Sequence, residues 1–178
     1  MKNILNNLMT SMVVVAGIAW MTTSLCAADA PEVSKLFADA RTHSSQLSAD
    51  WKAYTRQPNL TWTSDAAEVT HMKEEVGAIA KDLTGLSDFR KQASPSQAAA
   101  IDQITEVMEE IAEVNMKAID FLTSNQKRMS GKDYKSYLDA NSDTSSRQAA
   151  LVSQLVDYAS HKMKFDEAKR TLELASNK

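Results

Sequence analysis

The chain has 178 residues, of which 43% are apolar and 24% charged, enough for one domain with an ordinary buried core. Four glycines, three prolines and 6% aromatic residues are too few for the turns and pairings of an all-β sandwich or barrel. The net charge of −3 offers no basic face for phosphate, which excludes nucleic acid as an expected partner.

The chain opens like an export signal. Lys2 is followed by the uncharged, largely apolar run Met9 to Met21, and then by the small-residue stretch Thr22 to Ala28. That run is shorter than the roughly 20 residues a membrane-spanning helix needs, and the order is that of a secretory leader. Cleavage after Ala28 puts Cys26 and Ala28 at the two positions that require small side chains. Residues 1–28 are therefore expected to be a signal peptide and 29–178 the domain, with no membrane span after cleavage and a periplasmic or secreted location. Cys26 is the only cysteine, so the mature chain is expected to hold no disulfide, Cys–Zn site or CxxC motif. Loss of the leader removes only Lys2 from the charged set, leaving 19 basic and 23 acidic residues.

The remainder reads as four helices, over about 31–56, 64–90, 95–129 and 132–175. Apolar residues recur at three and four along each. The first carries Val33, Leu36, Ala40, His43, Leu47, Trp51 and Tyr54, and the second Val69, Met72, Val76, Ile79, Leu83 and Leu86. The third carries Ile101, Ile104, Met108, Ile111, Ala118 and Leu122. The fourth carries Tyr134, Tyr137, Gln148, Leu151, Leu155, Tyr158, Phe165 and Leu172. Ser94, Pro95 and Gln97 spell an N-cap, a proline at the first helical position and a capping-box partner; Ser130 and Asp133 suggest a second box. The polar run Asn141 to Ser146 is expected to stay helical, because Tyr137, Thr144 and Leu151 keep a seven-residue step through it. Short connections then predict an all-α, up-down-up-down antiparallel four-helix bundle with coiled-coil-like seams.

No GxSxG, P-loop, GxGxxG or HExxH motif occurs, so no enzyme is expected. Glu68-Val-Thr-His71 with Glu74 is the lone Glu-x-x-His. It lies off the apolar stripe, so it reads as a solvated face, and no metal site is assigned. Glu106, Glu109, Glu110 and Glu113 form an acidic face on the third helix, and with Glu74 and Glu75 on the second they are expected to make an acidic patch that reads as a solvated face. The three histidines fall at three heights and do not converge on one ion. His43 alone falls on a core stripe, level with Met108 on the third helix and near Gly77, Ala80, Ala149 and Ala150. Those two would be the ligands if a haem were held without covalent attachment. Trp51, Trp62, Tyr134 and Tyr137 should gather with Tyr54 at one end as an aromatic cap and candidate interaction patch.

The stretch Tyr158-Ala-Ser-His161-Lys-Met163 resembles the C-terminal haem-ligand region of exported four-helix b-type cytochromes, although helix 1 here lacks the methionine that family carries. A wider pattern resembles uncharacterised exported bacterial four-helix-bundle proteins. Thr61-Trp62, Ala100-Ile101, Ala118-Ile119 through Asn125-Gln126, and Tyr134 with Tyr137 before Asn141 carry it. That resemblance implies the fold and export, and no activity. The expected function is accordingly an exported, non-catalytic binding or scaffold protein without a cofactor. Its partner would be an unidentified envelope protein or a second copy of the chain. The alternative is a small periplasmic bundle carrying haem or a metal.

Overall fold

A computed structural model describes the backbone over residues 31–56, 62–125 and 131–176, with side chains except at Pro31, residues 62–65 and Gly131. The leader expected at 1–28, Cys26 and Ser130 lie outside the described residues. Four helices follow in order: α1 (Pro31–Thr55), α2 (Trp62–Arg90), α3 (Pro95–Asn125) and α4 (Gly131–Ser176). Among the described residues there is no strand, so the fold is all-α. No described helix is long and apolar enough to cross a membrane.

The start of α3 forms as its sequence dictates. Ser94 Oγ accepts the Gln97 backbone N–H at 3.3 Å, and Gln97 Oε1 accepts the Ser94 N–H at 2.9 Å. Two of the unpaired donors at the helix start are thus satisfied reciprocally, and Pro95 removes a third. Gln97 is itself buried, so the box is also part of the core edge.

Each of the four helices contributes one seam to a common core. α1 packs on α2 and α4, and α3 on α2 and α4, while α1 and α3 touch little. Cross-helix pairs tie them together: Arg90 with Asp102, Arg41 with Asp157, Tyr54 with Tyr134, and Asn115 with Ser145. On α1 the buried row is Val33, Phe37, Ala40, Ser44, Leu47, Trp51 and Tyr54. Leu36 and His43, expected in that row, stand half-buried beside it. Leu36 instead fills the hollow over Gly85, where a Cβ would lie 2.7 Å from Leu36 Cδ2.

α4 departs further from its expected face. Its buried row is Leu138, Ser142, Ser145, Gln148, Ala149, Val152, Val156, Ala159 and Met163, so that of the expected face Gln148 is buried and Tyr134, Tyr137 and Leu155 pack half-buried beside it. The larger residues of the seven-residue step turn outward, with Leu151 43%, Tyr158 61%, Phe165 66% and Leu172 71% exposed. The reason lies in the serine-rich run, which remains helical and faces the core. Small side chains there let α1 come close, and Ser48 Oγ meets Ser146 Oγ at 3.1 Å. Ser146, Thr144 and Asn141 return their spare donors to carbonyls four residues back. Beyond Met163 no residue of α4 through Ser176 is buried.

Candidate functional site

Polar chemistry concentrates where α1 meets α2. Two histidine–aspartate pairs cross this seam in opposite senses. His43 on α1 places Nδ1 2.6 Å from Asp82 Oδ2 on α2. Seven residues along α1, Asp50 faces His71 on α2, with Oδ2 and Nε2 3.5 Å apart. Both aspartates are buried, Asp50 to 7% exposure, whereas His71 is 47% exposed at its side chain. A buried carboxylate needs a counter-charge, hydrogen bonds or a bound ion.

Asp82 has its hydrogen bond. Asp50 is half provided for: Gln46 Nε2 donates to Oδ1 at 2.8 Å, while Oδ2 is buried and accepts no hydrogen bond. Glu75, one turn beyond His71, also has a buried oxygen, Oε2, without a hydrogen-bond partner. Single donor atoms from Asp50, His71 and Glu75 all lie within 4.8 Å of one another. Outside them, Glu74 Oε2 stands 3.7 Å from His71 Nδ1. The arrangement gathers two carboxylates and one imidazole at a half-open seam, where divalent ions are ligated by such groups.

The structure thus uses His71 and Glu74 differently from a bare surface face. Of the spacing Glu68-x-x-His71-x-x-Glu74, His71 and Glu74 are exposed and Glu68 half-buried, and the carboxylates gathered nearest His71 Nε2 include Asp50 of α1. Glu75 is adjacent and half-buried, and Asp50 comes from another helix, so no local motif marks either. The acidic residues Glu106, Glu109, Glu110 and Glu113 are exposed on α3, as expected of a solvated face. Lys117 pairs with Glu113 and holds its carboxyl below the usual carboxylate range.

The residues considered for haem have separate surroundings. Met108 is fully buried on α3, while His43 is one-third exposed and engaged by Asp82. Of the small residues expected around them, Ala149 is buried, but Gly77, Ala80 and Ala150 are exposed. Nothing lies within 4 Å of a Cβ built on Gly77. His161 is exposed, its Nδ1 2.7 Å from the Asp157 carbonyl of its own helix.

The aromatic end forms, but mostly inward. Trp51 and Tyr54 are fully buried and meet edge to face at 6.4 Å. Trp51 Nε1 donates to Asn115 Oδ1 at 2.5 Å, an acceptor shared with Ser145 Oγ at 2.8 Å. Tyr134 and Tyr137 are half-buried, and Tyr137 stacks on Phe121 with ring centroids 4.5 Å apart. Burial raises the Tyr137 hydroxyl above its usual value. Trp62 opens α2, and its side chain lies outside the described residues. Trp51 therefore serves the core, and among the described residues of this end the tyrosine edges and Phe121 reach solvent. Comparison with protein-family models, curated proteins and solved structures finds no match to this chain.

Proposed function

We propose that this chain is an exported, non-catalytic scaffold that associates with a second copy of itself through the outward face of α4. Export rests on the leader-like layout of residues 1–28 and places the domain in the periplasm or outside the cell. An up-down-up-down order is supported by the short connections and by the pairings. Moving from His43 to Asp50 along α1 goes with moving back from Asp82 to His71 along α2. The absence of a nucleophile or phosphate-loop motif in the sequence supports a binding role over catalysis.

One observation carries the reading: Leu151, Tyr158, Phe165 and Leu172 form an exposed apolar row on a helix that outlasts its buried contacts. The row repeats every seven residues over about 30 Å of helix. A seven-residue repeat keeps these side chains on one side of the helix, as a single narrow apolar stripe that a second helix could cover. Two copies related by a two-fold axis would set the same row against itself and cover it on both.

Sedimentation velocity across a concentration series tests this. A dimer that dissociates in Tyr158→Lys and Phe165→Lys, with helical content retained, supports the reading. A monomer at every concentration overturns it.

A further inference from the structure

We propose that Asp50, His71 and Glu75 form a binding site for a divalent transition ion of the zinc class across α1 and α2. This site lies on different helices from the α4 face and stands or falls independently of it.

Asp50 stands as a ligand without an ion. Its carboxylate is more than nine-tenths buried, and Oδ2 points toward His71 without a hydrogen bond. The 3.5 Å separation from His71 Nε2 is too long for a good hydrogen bond. It suits two ligands of one ion. Bonds of about 2.0–2.1 Å at a tetrahedral centre hold their donor atoms roughly 3.3 Å apart. Glu75 brings the third donor, with Oε2 likewise buried and unpaired by hydrogen bonds. Two oxygens that are poorly satisfied without a cation become well satisfied with one.

The neighbours of Asp50 and His71 hold both side chains in place from behind. Metal-binding carboxylates and histidines are usually fixed through the atom that does not touch the metal. Gln46 Nε2 holds Asp50 Oδ1 at 2.8 Å, leaving Oδ2 free to bind. Glu74 lies beside His71 Nδ1, on the side away from Asp50, where a carboxylate favours the tautomer that leaves Nε2 as the donor. Gln46 and Asp50 are four apart on α1, and His71, Glu74 and Glu75 fall within five residues of α2. Two helical turns thus supply both shells.

Ligand chemistry sets the class of ion. An imidazole nitrogen with two carboxylate oxygens suits zinc and its neighbours, whereas calcium and magnesium prefer oxygen alone. Three protein ligands leave a fourth position for water. The ion would also staple α1 to α2, so binding raises the unfolding temperature, and goes on raising it as free zinc increases.

Titration calorimetry of the chelator-stripped chain with zinc chloride, paired with thermal unfolding at rising zinc, provides the test. Saturable one-to-one binding is expected, with an unfolding midpoint that climbs with zinc concentration. His71→Ala alters an exposed side chain and should keep the fold while weakening binding by at least about tenfold. Asp50→Asn should weaken it similarly, and His161→Ala should leave it unchanged. Lack of saturable binding would overturn the site. So would zinc affinity that survives His71→Ala or is lost with His161→Ala, or calcium bound as tightly as zinc.

Discussion

The imidazole of His43 and the carboxylate of Asp82 meet at 2.6 Å between α1 and α2, with Asp82 buried and His43 reaching solvent. Removing one partner of such a pair leaves the other stranded. His43→Ala is expected to cost about 1–3 kcal/mol, because Asp82 keeps its desolvation and loses its hydrogen bond. The double change His43→Leu with Asp82→Leu should recover much of that loss. Urea unfolding of the two variants checks the contrast; equal losses would show that the pair is not the cause.

The centre of the core holds a second polar commitment. Asn115 Oδ1 receives both Trp51 Nε1 and Ser145 Oγ, and its amide donates to the Ile111 carbonyl at 2.7 Å. Asn115→Leu fills similar volume but leaves a buried indole N–H and a serine hydroxyl unpaired. A loss of about 2 kcal/mol or more is expected, together with a shift in Trp51 fluorescence as its hydrogen bond disappears. A variant as stable as the parent would mean that the shared acceptor contributes little.

The two faces of α4 can be told apart by neighbouring substitutions. Val152 is fully buried and Leu151 is 43% exposed. Val152→Ala should destabilise by about 1–3 kcal/mol through its cavity, while Leu151→Ala should stay within about 0.5 kcal/mol. The measurement belongs at low protein concentration, where association through the outer face does not contribute. The reverse order would move the core back to the seven-residue row.

That contrast also shows what could be read from the residues alone. Four helices, their bounds to within a few residues and the Ser94–Gln97 cap are local properties, written in periodicity and capping chemistry. The inner face of α4 is not local. Its true row contains Ser142, Ser145 and Ala149, which look unlike a core, whereas Tyr158, Phe165 and Leu172 look like one. Only the close approach of α1 makes small side chains the better filling. The meeting of Asp50 with Glu75, an acid that the sequence places only in a surface patch, is not legible for a related reason. A buried acid on one helix and a half-buried acid on another become a pair only once the seam between them exists.

Surface ion pairs predict a modest acid sensitivity. Arg90 hydrogen-bonds Asp102, Lys117 Glu113 and Lys162 Asp166, and each cation holds its carboxyl below the usual range. Folded values below the unfolded ones mean stability that is present at neutral pH and lost as pH falls through the carboxylate range. All three stand at the surface, with Asp166 only half-exposed, so each effect is small and weakens with added salt. Stability should therefore decline below about pH 5, and the decline should be shallower in Asp102→Asn. Chemical denaturation between neutral and acid pH reads this directly; an unchanged slope in Asp102→Asn would remove that pair from the account.

Asp50 yields the sharpest prediction, because stability and ion binding pull in opposite directions there. Without a cation its buried Oδ2 accepts no hydrogen bond, and a buried charge so placed disfavours the fold. Asp50→Asn keeps an oxygen of similar shape without the charge. In chelator it should be more stable than the parent, by about 1–2 kcal/mol. In zinc the order should reverse, since only the parent gains from occupancy. A residue kept for packing alone would lose stability under both conditions, and an ordinary surface acid would be indifferent to both. Thermal unfolding of the two proteins, with and without zinc, separates the three outcomes. A crossover in rank between the conditions is the result expected of a carboxylate placed to hold an ion.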